Sequence, residues 1–210
     1  MTSLTTTLFM LLVAAQVGVI IFSWWEPPFD GTIRYDDVAP LRDLYWPMNA
    51  LLGGPSYALS AICVSISLAV LGAGRAWSLI GAVLHLLGGI VFALVITAET
   101  LPFAWALDPA VADERLGRSL FDAYNANLDA FLPYILAPMG LVAIGALIGV
   151  VAAARVGALP WWTLAATGAV AVAVFLVPIG GPTSVIVDLA QRALLIWIGW
   201  RALRAAVPRA

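Results

Sequence analysis

Lysine is missing from these 210 residues; all ten basic residues are arginine. That excludes Schiff-base chemistry on a lysine and the Lys-rich surface that commonly holds nucleic acid, so no nucleic-acid partner is expected. Cysteine occurs once, at Cys63, which excludes an internal disulfide and any Cys-x-x-Cys redox or zinc site. Histidine also occurs once, at His85, which excludes bis-histidine haem ligation and a cluster of histidine metal ligands within the chain. Neither a metal nor a cofactor is expected. Charge is scarce as well: 10% of residues are charged and 63% hydrophobic, with a net charge of -2. A soluble domain carries about 25% charged residues, so this chain belongs elsewhere.

What the sequence has is long apolar runs. A helix crossing about 30 Å of hydrocarbon needs roughly 20 mostly apolar residues. Six windows qualify, at about 3–25, 49–73, 76–98, 129–153, 158–179 and 183–205. The expected fold is all-α: a polytopic, multi-pass membrane protein, one domain over 1–210, folded as a six-transmembrane-helix bundle. Segments 26–48 and 99–128 are its long loops. The first run, Leu4 to Phe22, has no basic stretch before it and no convincing cleavage site before Trp24-Trp25-Glu26. It reads as a retained span, not a signal peptide.

Charge gives the orientation. Segments 26–48 and 99–129 hold eleven of the twelve acids, together with Arg34, Arg42, Arg115 and Arg118. The short turns near Arg75 and Arg155, and the tail with Arg201, Arg204 and Arg209, hold bases and no acids. Short loops obey the positive-inside rule more closely than long ones, which places both termini in the cytoplasm of a cell membrane and the acidic loops outside. The nine tryptophans agree. Trp24, Trp25, Trp46 and Trp105 fall near the outer ends of their spans, and Trp77, Trp161, Trp162, Trp197 and Trp200 near the inner ends, as aromatic belts do.

Small and polar residues mark the faces that pack helix on helix, because lipid tails do not drive apolar helices together. Ser56, Ser60, Cys63 and Ser67 form one stripe; Ser78, Gly81, His85 and Gly88, with Gly89 beside them, form another. The fourth span carries Gly145-Ala-Leu-Ile-Gly149 after Pro138, a proline expected to kink the helix and free a carbonyl. All three features read first as close packing.

The last span is different. Ser184, Asp188, Gln191 and Arg192 share one helical face. Counted inward at 1.5 Å per residue, Asp188 lies roughly 8 Å and Arg192 roughly 14 Å into the bilayer. An isolated charge there costs at least about 3 kcal/mol, and Asp188 one turn ahead is the partner that Arg192 needs. His85 sits at similar depth in its span and Gln16 not far above. Gln16, His85, Asp188, Gln191 and Arg192 are therefore expected to form one buried polar cluster, either a structural ion pair or a substrate or proton path. Glu99 ends the third span on roughly the face of His85, either at the mouth of a cavity or where the helix reaches water.

The first loop reads Glu26-Pro-Pro-Phe-Asp30, Arg34-Tyr-Asp36-Asp37 and Arg42-Asp43-Leu-Tyr-Trp46-Pro47, and its aromatic and proline content argues for order. In the second, Asp108-Pro109 is an N-cap signal. Leu116, Leu120, Tyr124 and Leu128 then alternate with Asp113, Arg118 and Asp122, which predicts an amphipathic, extracytoplasmic cap helix over 109–128. Asp36-Asp37 and Asn125-x-Asn127-x-Asp129 invite a metal–diphosphate reading but lack the Asp-rich patterns of prenyl-diphosphate enzymes.

The Gly157-Ala-Leu-Pro-Trp161 turn, the glycine-containing fifth span, Gly180-Gly-Pro182 and the final Trp197-Ile-Gly-Trp200-Arg-Ala-Leu203 resemble six-span integral membrane proteins of high-GC actinobacteria. The resemblance is compositional, covers most of the chain and implies the topology alone, since it carries no assigned chemistry. Integral-membrane terpene cyclases are similar only in scale.

Three functions remain open from the residues. One is binding or transformation of a lipid-soluble small molecule in an outward-opening cavity. There Asp188 would be the acid or base, with His85 and Glu99 as its catalytic companions, and Arg192, Gln191, Gln16 and Ser184 would hold the ligand. The second is a small proton-coupled transporter using the same cluster. The third is an accessory subunit packed against a membrane-protein partner. Membrane lipids surround the chain in each case.

Overall fold

The computed structural model describes residues 2–27, 29, 31–177 and 182–206. Asp30, Gly180, Gly181 and Arg209 lie outside the described residues. Every regular element among the described residues is helical: α1 (Thr2–Trp25), α2 (Tyr35–Val38), α3 (Arg42–Met48), α4 (Gly54–Leu71), α5 (Ala76–Leu107), α6 (Glu114–Ala126), α7 (Leu128–Arg155), α8 (Trp162–Leu176) and α9 (Pro182–Ala206). Five stretches are long and apolar enough to cross a membrane: Leu4–Trp25, Tyr35–Leu71, Ala76–Leu107, Leu128–Arg155 and Pro182–Ala206. They fit a multi-pass membrane protein.

The expected fifth span, 158–179, is shorter in the structure: α8 has 15 residues. Prolines set both limits. Pro160 stands in the turn before α8, and Val177, which precedes Pro178, leaves the helix for extended backbone at ψ 125°. The residue before a proline is pushed out of the helical region by the ring.

The segment expected as a first loop over 26–48 is helical from Tyr35 onward. A single 3-10 turn at Ala39–Leu41 joins α2 to α3, and a wide π turn at Asn49–Gly53 joins α3 to α4. Pro47 removes one donor from the backbone ladder there, and the buried Asn49 side chain is satisfied within the helix by donating its Nδ2–H to the Tyr45 carbonyl at 2.8 Å.

The third span also outruns its expected end at 98, continuing through Pro102 to Leu107. The extension is held by a second core at this end of the bundle, where Phe103, Ala106 and Leu107 bury themselves against Val38, Tyr45 and Phe121. The main core, with Leu12, Val64, Leu68, Val150 and Ile198, fills the middle. Antiparallel neighbours define two ends. One carries the acidic segments. The other gathers the turns at Gly72 and Gly157 with Trp162, Trp197 and Trp200, whose rings meet at a tilt with centres 5.4 Å and 5.2 Å apart.

An amphipathic helix does form within 109–128, as α6, but it starts later and packs through a different face than expected. Asp108 closes only a local turn by accepting from the Ala110 N–H at 2.8 Å. The helix is capped by Asp113, which accepts from the Leu116 N–H at 2.8 Å. Gly117 and Phe121 are its buried residues, while Leu116 and Leu120 are exposed. The face that packs is one position round from the leucines because Phe121 has Tyr35 and Phe103 to meet, at 5.3 Å and 4.7 Å between rings.

The small-residue stripes do pack. Ser56, Ser60, Cys63 and Ser67 are buried on α4, and Ser78, Gly81, His85, Gly88 and Gly89 on α5. At the crossing of α5 with α7 the backbones touch: a Cβ on Gly81 would lie 2.5 Å from the Gly149 nitrogen and 2.7 Å from the Gly145 oxygen. A Cβ on Gly145 would strike the His85 nitrogen. This contact fixes where the imidazole projects.

Candidate intrabundle site

The polar face of α9 forms as its spacing requires. Arg192 is buried, with its side chain 8% exposed, against 30% for Asp188. Its Nε and Nη2 both donate to Asp188 Oδ1, at 3.0 Å and 2.5 Å. Nη1 reaches Gln16 Oε1 on α1 at 3.4 Å. Gln16, fully buried, passes the connection on by donating its Nε2–H to Ser60 Oγ on α4 at 2.6 Å. The guanidinium also lies over the Tyr57 ring, 5.5 Å from its centre. One charge pair thus ties α1, α4 and α9 together, and each buried group in it is hydrogen-bonded, as burial demands.

Beside this network lies a cavity of about 360 Å³. Its walls come from α4, α5, α7, α8 and α9, and are mostly aliphatic and aromatic: Phe92, Val142, Ala171, Val174, Phe175 and Leu195 are representative. Its polar lining includes His85, Ser184, Asp188, Gln191 and Arg192, the group expected from the sequence. From Arg192 the lining runs toward the acidic end as far as Val177 and Ser184. The volume and the few polar groups in an apolar wall are those of a small-molecule site.

His85 Nδ1 lies 3.1 Å from the Val142 carbonyl oxygen. A carbonyl only accepts, so Nδ1 carries the proton, and in the neutral ring Nε2 is an acceptor. Asp188 Oδ2 receives neither of the Arg192 bonds. Among the described residues neither Oδ2 nor the Gln191 amide has a hydrogen-bond partner.

Two expected members stand elsewhere. Gln16 is behind Arg192 and does not line the cavity. Glu99 does not line it either: α5 carries on past it to Leu107, and the Glu99 charge acts instead on Tyr124 of α6. There it adds to the burial that pushes the Tyr124 hydroxyl up to about 12. At this same end burial pushes the Glu26 carboxyl up to about 7. The residues not anticipated are Tyr57, Ser60 and Thr167. Ser60 and Tyr57 do lie three apart on α4, which was the available signal; Thr167 donates to the Thr163 carbonyl at 2.7 Å and resembles an ordinary helical threonine.

The acidic loops are engaged in structure. Arg118 on α6 grips Asp36 on α2 with two bonds, Nη1 to Oδ2 at 3.0 Å and Nη2 to Oδ1 at 2.6 Å. These bonds hold the Asp36 carboxyl below its usual range. Asn125 clasps the Ile33 backbone from both sides, accepting its N–H at 3.0 Å and donating to its carbonyl at 2.9 Å. Asn127 donates to the Ala123 carbonyl at 2.7 Å. Of the side chains behind the metal–diphosphate reading, Asp36 and Asn125 thus serve to fasten α6, and among the described residues no three His, Cys, Asp or Glu groups converge as a metal site. Comparison with known protein families, with curated proteins and with solved structures found no match.

Proposed function

We propose that this chain is a six-span protein of the cell membrane that binds or transforms a lipid-soluble small molecule in the cavity beside Asp188 and Arg192. In this reading α8 also crosses, as the fifth of six spans, as in the six-span actinobacterial proteins that the composition resembles; both termini are cytoplasmic, and α6 is an extracytoplasmic cap. The observation that carries the reading is a single cavity that gathers His85, Ser184, Asp188, Gln191 and Arg192 in an otherwise apolar wall. An ion pair serving only to lock the bundle has no use for the open carboxylate oxygen. Here Asp188 is the acid or base, Arg192 holds it in place, and the extension of the lining toward Val177 and Ser184 is the way in from the acidic side.

The test compares wild type with Asp188→Asn, purified in detergent, by thermal unfolding with and without a membrane lipid extract. The expected result is stabilisation of wild type by a component of the extract and a folded variant that does not respond. Early melting of the variant with no effect of the extract on either protein would return the pair to a structural role, and with it the accessory-subunit reading.

A further inference from the structure

On the proposed reading of the cavity as a binding site, the donors and acceptors left over in it narrow the class of ligand. Asp188 and Arg192 cancel as an ion pair, so the site has no net charge to offer a ligand ion. A carboxylate or phosphate placed there would meet Asp188 Oδ2 and the His85 Nε2 lone pair, both acceptors. An ammonium would meet the guanidinium. An ether, a ketone or a hydrocarbon would leave both acceptors unmet in a dry apolar wall, which is the costly outcome for a buried polar group.

On the donor side, Arg192 has five N–H groups, of which Nε, one on Nη2 and one on Nη1 are engaged. The remaining guanidinium N–H groups and the Gln191 amide can donate. The smallest neutral group that donates to one partner while accepting from another is a hydroxyl. Tyr57 and Phe92, edge to face at 5.2 Å, and Phe175 supply aromatic wall beside these polar atoms.

We propose that the cavity selects an uncharged lipid-soluble alcohol or phenol. The hydroxyl gives its proton to His85 Nε2 and accepts from Arg192 or Gln191, while the apolar body lies against α7 and α8. His85 is the residue that distinguishes a hydroxyl from its ether, because the bond from Nδ1 to Val142 leaves Nε2 nothing to offer but a lone pair.

The experiment uses the full chain in nanodiscs of phosphatidylcholine, titrated with 4-hexylphenol, 4-hexylanisole and 4-hexylbenzoate, with thermal unfolding as the readout. The phenol is expected to stabilise, and the anisole and the benzoate to bind about tenfold or more weakly, a loss of the size that follows from an unmade buried hydrogen bond. In His85→Phe, which keeps an aromatic ring but removes the lone pair, phenol and anisole are expected to bind alike. Equal affinity of phenol and anisole for wild type, or tightest binding of the benzoate, overturns the hydroxyl class and leaves the cavity reading standing. Stabilisation by none of the three, together with an Ala171→Trp variant that unfolds like wild type in the lipid extract assay, overturns the cavity reading as well.

Discussion

Gly81→Ala adds one methyl group at the point where α5 and α7 touch, and its effect can be worked out from the geometry. The new Cβ would lie 2.5 Å from the Gly149 nitrogen and 2.7 Å from the Gly145 oxygen, where ordinary contact begins at 3.4 Å. Both obstacles are backbone, so no side chain can swing aside, and the helices must part by roughly 0.9 Å to restore contact distance, lifting His85 off its set position. Overpacking of this kind costs about 1–3 kcal/mol. Replacing a helical glycine with alanine returns about 0.5–1 kcal/mol of backbone entropy. The net expectation is a loss of about 1–2 kcal/mol. Gly140→Ala on α7 is the matched control: nothing lies within 4 Å of its added Cβ, so it keeps the entropic gain and incurs no clash. The assay is reversible unfolding in mixed micelles of rising SDS fraction, followed by circular dichroism. Gly81→Ala as stable as Gly140→Ala would refute the claim that the two backbones are in contact.

Other consequences can be measured in the same preparations. Because burial raises the folded-state Glu26 carboxyl to about 7 from its ordinary 4.5, the folded state binds the extra proton between those values. The stability that this adds is complete below about pH 4.5 and is lost as pH rises through 7, so melting temperature should fall over that window, and the Glu26→Gln variant should flatten the slope. Gln16→Leu strands one guanidinium N–H and the Ser60 hydroxyl; a loss of about 1 kcal/mol is expected in the SDS titration, and no loss would remove Gln16 from the network. For orientation, a membrane-impermeant maleimide on intact cells should label Ser119→Cys on α6 and reach Arg155→Cys only after permeabilisation, while buried Cys63 stays unlabelled. The opposite pattern would invert the topology.

The α9 face was legible because polar residues inside an apolar run have few places to go. Ser184, Asp188, Gln191 and Arg192 recur at helical spacing, and the cost of a lone buried arginine names its partner four residues earlier. Gln16 and His85 followed from depth alone. Which of them reaches the cavity depends on how each helix is rotated about its axis, and small differences in packing decide that: Gln16 turned behind Arg192, and Ser60 and Tyr57 came forward. Helix ends were read less well. Glu99 resembled a terminus because charge usually marks water, yet Phe103 and Leu107 had a second core to enter and drew α5 onward past Pro102. In α6 the leucines looked like the buried stripe, and the ring of Phe121 took that place through partners more than eighty residues away in the chain at Tyr35.

The run of helix from Tyr35 to Leu71 is worth following from one end to the other. Its first turn is bolted to α6 by Asp36 and by the Tyr35 ring, and its later turns present Tyr57 and Ser60 to the charge pair and the cavity. α6 and one wall of the cavity are therefore joined by a single helical run, with the π turn at Asn49–Gly53 as an elbow between them. Wide turns of this kind can shift by a residue's worth of hydrogen bonding without unravelling the helix. A tilt of α6 must either be absorbed at that elbow or arrive at Tyr57. A shift of the cavity wall at Tyr57 is in turn felt where α6 is seated, since whatever moves one end of a lever loads the other.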